Sequence, residues 1–113
     1  MSIPAQVLLV CSNVPDLECA KKLARHLLEQ QLVACVNILP AIHSMYRWQG
    51  ALEEASEVML QIKTTQARYA EVEAAMKAMH PYEVPEIIAF PVTEGAPAYL
   101  DWVQQETNKD RNV

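Results

Sequence analysis

Proline constrains this chain more than any other residue. Two of its seven prolines, Pro40 and Pro91, lie inside apolar stretches that otherwise read as β-strands. Proline has no N–H to give to a ladder, so a sheet tolerates it only in an edge strand or at a bulge. Any sheet built from this chain must therefore keep those two stretches at its margins.

The rest of the pattern supplies the elements. "AQVLLVCS" (5–12) is a short Val- and Leu-rich run, read as a strand buried on both faces. Residues 16–31 place Leu17, Ala20, Ala24, Leu27 and Leu28 at helical spacing, with Lys21, Lys22, Arg25 and Glu29 opposite and Asp16 as N-cap. Residues 32–49 and 51–65 alternate as strands and meet at Gln49-Gly50, a hairpin turn. Both exceed the usual ~5–6 residues, so bends or bulges are expected. A second helix over 65–80 buries Tyr69, Val72, Met76 and Met79, with Thr65 as its cap. Residues 86–92 form a fourth strand, and 96–108 a last helix with Pro97 in its first turn.

The order is βαββαβ plus a terminal helix, over a single domain of residues 1–113. Right-handed crossovers and a central hairpin make this an α+β, ferredoxin-like antiparallel sheet with strand order 4-1-3-2 and an extra C-terminal helix. Pro40 and Pro91 then fall in the two edge strands, and the first and third strands contain no proline.

Composition narrows the function. A formal charge of -5 argues against nucleic acid, whose phosphates call for clustered Lys and Arg. No apolar run approaches the ~20 residues of a membrane-spanning helix, and the N-terminus shows no basic leader. The expectation is a soluble, cytoplasmic protein. Cys11, Cys19 and Cys35 are odd in number and form no CxxC pair, so they read as reduced thiols rather than a disulfide framework. Two open edges, together with Met45, Tyr46 and Trp48 at the hairpin tip, call for pairing in a symmetric homo-oligomer.

The stretch "MHPYEVPEIIAFP" (79–91) crowds two breakers, a histidine, a tyrosine and two glutamates ahead of the fourth strand. Together with "ACVNILP" (34–40), "SMYRWQG" (44–50), "EVMLQIKTT" (57–65) and "YLDWV" (99–103), it resembles the CutA divalent-cation tolerance family over residues 6–104. The resemblance implies a homotrimer akin in architecture to the PII signalling proteins, and an association with copper and other divalent cations. It also implies copper ligation by Cys11 and His80, whose thiolate and imidazole suit that metal. Some members carry two histidines before the proline. Here the first is Met79, a thioether that suits Cu(I) over Cu(II), so weak binding favouring Cu(I) is expected.

The resemblance further implies an intersubunit cleft lined by Tyr46, Trp48, Lys63, Tyr82 and Glu86, with Glu57 in the same polar cluster. Such a cleft holds a small anionic or zwitterionic ligand, or else is an aromatic interface with a buried ion pair. Each sulfur and imidazole also has a plainer reading. Cys11 and Cys35 suit apolar packing, Met76 and Met79 suit the core, and His26 and His43 lack ligand spacing to any partner. No nucleophile elbow, phosphate loop, HExxH or paired-carboxylate motif is present, so no enzymatic activity and no required cofactor are expected.

Overall fold

Pro40 and Pro91 both lie in marginal strands. The computed structural model describes residues 6–108. It contains β1 (Val7–Val14), α1 (Leu17–Glu29), β2 (Cys35–Trp48), β3 (Ala51–Thr65), α2 (Tyr69–Met79), β4 (Ile88–Pro91) and α3 (Pro97–Glu106). All pairings are antiparallel and the sheet runs β2-β3-β1-β4, the expected order read from the other side.

Local chemistry sets the boundaries. The Asp16 carboxylate accepts from the Cys19 N–H at 2.8 Å and starts α1 as its N-cap. Thr65, in contrast, caps nothing with its side chain. A short 3-10 turn over Gln66–Arg68 intervenes before α2 begins. At the far end of α2, Pro81 disfavours helical backbone at the residue before it, and His80 is extended with ψ 134°. The β2–β3 turn is the expected one. Gln49 and Gly50 have φ of 50° and 83°, the paired positive values of a type I′ hairpin. The expected irregularity is a register shift between Leu39 and Ile42, beside Pro40, with Ala41 left-handed at φ 63°.

The core lies between one sheet face and the helices. Val10, Val14, Val58, Leu60 and Ile62 meet Ala20, Leu23, Leu27, Val72 and Met76 there. Leu23 joins this stripe, whereas Leu17 and Leu28 are exposed. At 100° per residue, the buried arc of α1 is centred on Ala20, Leu23, Ala24 and Leu27, and both outlying leucines fall off it.

β1 is not buried on both faces. From Leu8 onward its even positions are buried and its odd positions half-exposed, because helices α1 and α2 cover only one side. Leu9, Cys11 and Asn13 share the open side with Met59, Gln61 and Lys63 of β3 and with Ile88 and Phe90 of β4. A second small cluster of Val7, Ala34 and Val103, backed by Val92 and Leu100, ties α3 to one end of the sheet.

Beyond the Val14–Val58 pair, β3 has no third strand beside it. Residues 42–57 therefore project as a two-stranded arm, and the molecule measures 52 × 27 × 22 Å. Met45 and Leu52 on this arm are 62% and 67% exposed.

Candidate functional site

The proline-rich stretch after α2 passes beside the root of the arm. Tyr82 Oη donates to Glu57 Oε2 at 2.7 Å, fixing the loop to β3. Asn13 Nδ2, at the end of β1, donates to Glu86 Oε1 at 3.4 Å. Between these contacts lies an open cleft of about 460 Å³, walled by Tyr46 and Trp48 of the arm, Glu57 of β3, Asn13 of β1 and loop residues that include Tyr82 and Glu86. Its size suits a small organic ligand.

Five of the six expected cleft residues thus meet in one place. Lys63 is the exception. Its ammonium donates to Asn37 Oδ1 instead, and it does not line the cleft. Lys63 and Glu57 share a sheet face, but six residues of extended strand put them roughly 20 Å apart. Lys63 and Glu57 therefore do not meet within one protomer, and the part of the cleft that this protomer lines has no basic residue among the described residues.

Sequence reasoning missed Asn13 and Glu83, which also line the cleft. Asn13 carried a usable signal, since it follows Cys11 on the same side of β1 by strand parity.

Electrostatics follow from this placement. Glu57 is only 8% exposed, and no lysine, arginine or histidine forms an ion pair with it among the described residues. Tyr82 holds its proton well above the ordinary phenol range, first because it is partly buried and then because it donates to the Glu57 carboxylate. Asn13 Oδ1 is buried without a hydrogen-bond partner among the described residues. Its amide orientation is set by Glu86, because a carboxylate only accepts and so takes the NH₂ end.

The three expected metal ligands sit in different settings. The His80 ring is nearly buried and fully engaged: Nε2 donates to the Asn13 carbonyl at 2.8 Å, and Nδ1 accepts the Tyr82 N–H at 3.2 Å. The ring also stacks at a tilt on Tyr82, centroids 4.9 Å apart. Cys11 is a free, half-buried thiol on the open sheet side, its pKa raised by burial and then by the Glu86 charge. Met79 packs against the main core. No group of three or more His, Cys, Asp or Glu side chains is arranged to hold a metal ion among the described residues. His43, by contrast, pairs with Glu54 at 2.7 Å on the exposed arm.

Comparison with known proteins places this arrangement. The family model described as "CutA1 divalent ion tolerance protein" matches residues 8–106. The divalent-cation tolerance protein CutA of Thermus thermophilus is 46% identical over 98 residues, covering 87% of this chain and 95% of that one. The protein CutA of Mus musculus is 42% identical over 110 residues, covering 97% of this chain but 62% of its own length, so this chain spans about three fifths of that relative. Among solved structures, CutA1 from Oryza sativa superposes with a TM-score of 0.91 at 37% identity, covering 96% of this chain and 99% of that one. The Thermus thermophilus structure gives a TM-score of 0.88 at 44% identity, covering 89% and 98%.

Proposed function

Because this chain belongs to the CutA1 divalent ion tolerance family, we propose that it serves divalent-cation tolerance as a homotrimer, through a ligand-holding cleft beside the arm rather than a preformed metal centre. The observation that carries this reading is the cleft itself: about 460 Å³, aromatic on one side, with its floor fixed by the Tyr82–Glu57 hydrogen bond. Assembly is supported by the arm. An isolated two-stranded ribbon is marginal in water, and this one exposes Met45, Tyr46, Trp48 and Leu52. Ile88 and Phe90 on the open sheet side are likewise exposed.

Three free cysteines support a reducing, cytoplasmic setting, and no described helix is long and apolar enough to cross a membrane. Native mass spectrometry of protein purified from its own cells tests the assembly and reads any bound metal or metabolite. A monomer at micromolar protomer concentration refutes the trimer. Loss of ligand-induced thermal stabilisation in Trp48→Ala is the expected signature of the cleft.

A second reading keeps copper as a direct ligand, favoured by one observation. His80 bonds Asn13, two residues from Cys11 on the same strand, so thiol and imidazole address one short segment. Coordination by His80 Nδ1 has to displace the long bond from Tyr82 N–H, and a thiol of raised pKa resists becoming thiolate. Both effects weaken binding, in keeping with a weak Cu(I) site of Cys11 and His80; Met79, the third expected ligand, packs on the helix-covered side of the sheet, away from the open side that carries Cys11. Titrating Cu(I) into the reduced protein and into Cys11→Ala and His80→Ala tests it; equal affinities eliminate the site.

A further inference from the structure

Two hydrogen-bonded routes leave one imidazole, and both end on walls of the cleft. His80 Nε2 donates to the Asn13 carbonyl, and the Asn13 amide in turn donates to Glu86. His80 Nδ1 accepts the Tyr82 N–H, and the Tyr82 hydroxyl in turn donates to Glu57. Every link lies within one chain, so none of them needs a neighbouring copy.

The local backbone makes His80 the point of control. Its own N–H is held by the Met76 carbonyl at 2.8 Å, which fixes the residue at the end of α2. Pro81 has a locked φ and no N–H, so Tyr82 supplies the first donor of the loop. In an Asx turn, an Asn or Asp side chain accepts the N–H two residues further on and so sets the bend. Here the imidazole takes that part, while its other nitrogen pins the ring to the end of β1. Both partners fix the tautomer. A backbone N–H can only donate and a carbonyl can only accept, so the ring proton sits on Nε2.

We infer that His80 is the positioning residue of the cleft: by accepting the Tyr82 N–H it sets the bend that carries the Tyr82 hydroxyl onto Glu57. It acts through Tyr82 and touches no ligand itself. This rests on the reading of the cleft as the ligand site, and it gives the His-Pro-Tyr run a role that needs no metal. One substitution separates that role from copper ligation, since His80→Asn offers no imidazole to a metal but keeps an acceptor for the Tyr82 N–H.

The test is a set of double-mutant cycles on the assembled, reduced protein, read as urea midpoints at equal protomer concentration. Tyr82→Phe removes the hydroxyl and keeps the ring that stacks on His80. In the parent it is expected to lower the midpoint. In His80→Ala it is expected to change nothing, because the hydroxyl no longer reaches Glu57. His80→Asn restores the Tyr82→Phe shift, whereas His80→Gln, whose longer amide suits the Asn13 carbonyl rather than the Tyr82 N–H, does not. Deuterium exchange of the Tyr82 amide follows the same order, slow in the parent and His80→Asn, fast in His80→Ala and His80→Gln. A Tyr82→Phe shift that is absent in the parent, or equal in all four backgrounds, makes His80 a merely structural group and overturns the inference. Rescue by His80→Gln and not by His80→Asn overturns it as well. The cleft reading fails by a different result: if the cycles behave as expected but a metabolite extract gives no Trp48-dependent thermal shift, the ligand site falls and His80 remains the residue that positions Tyr82.

Discussion

Two buried hydroxyls on the helix-facing side of the sheet should respond to deletion with opposite signs. Ser12 on β1 and Thr64 on β3 are both fully buried, and both alternate with core residues such as Val10 and Ile62. Thr64 Oγ1 donates to the Leu32 carbonyl at 2.6 Å. Ser12 Oγ has no hydrogen-bond partner among the described residues. Thr64→Val keeps the shape but removes the donor from a buried carbonyl, which costs about 1–3 kcal/mol. Ser12→Ala removes an oxygen already desolvated without compensation, a burden of ~1–3 kcal/mol in mutational data. Against this stands only a small loss of packing, so a net gain of about 1 kcal/mol is expected. At roughly 4 °C per kcal/mol for a chain of this size, the two variants should melt on either side of the parent and separate by ~8–16 °C. Urea unfolding, followed by tryptophan fluorescence with the slope checked for constancy, is the assay. Protomer concentration is held equal throughout, because self-association shifts apparent stability by mass action. If Ser12→Ala lowers the midpoint as far as Thr64→Val does, the Ser12 hydroxyl has a partner and the reasoning fails.

Two further outcomes follow from the same structure. Cys11, Cys19, Tyr69, Tyr82 and Tyr99 all have pKa values raised, chiefly by burial, above ordinary values of 9.0 and 10.0. The unfolded chain therefore releases these protons first, and stability should fall as pH climbs above about 9, with a shallower decline in Tyr82→Phe; an unchanged slope in that variant counts against the Tyr82 assignment. Asp16→Ala, by removing the acceptor for the Cys19 N–H, should cost about 1 kcal/mol in chemical denaturation, and a neutral result would mean the cap contributes nothing.

The architecture was legible because its determinants are local. Pro40 and Pro91 name the edges, Gln49-Gly50 sets the hairpin, and Pro81 ends α2, each through backbone constraints that do not depend on the rest of the fold. The cleft was legible only in part. Tyr82, Glu86 and Glu57 are neighbours because a loop crosses to the root of the arm, which the resemblance implied and spacing did not. Lys63 shares a sheet face with Glu57 but lies well along the strand from it, and the resemblance that named both speaks of a cleft between subunits, which spacing within one chain does not reach. The setting of His80 was illegible for a different reason. Its partners are one carbonyl sixty-seven positions away and one N–H in the next turn of chain, and backbone groups leave no mark in sequence. The exposed side of β1 escaped notice because a Val- and Leu-rich run looks the same whether helices cover it once or twice.

The bulge beside Pro40 has a bearing on what these chains build together. A strand laid along the outer margin of β2 finds the ladder broken midway, where a missing N–H coincides with a one-step slip in register. On the opposite margin, β4 is only four residues long and Pro91 is the last of them. Neither border offers the long unbroken ladder on which strands stack without end into fibres, so the exposed apolar surface of this chain comes without a matching backbone template.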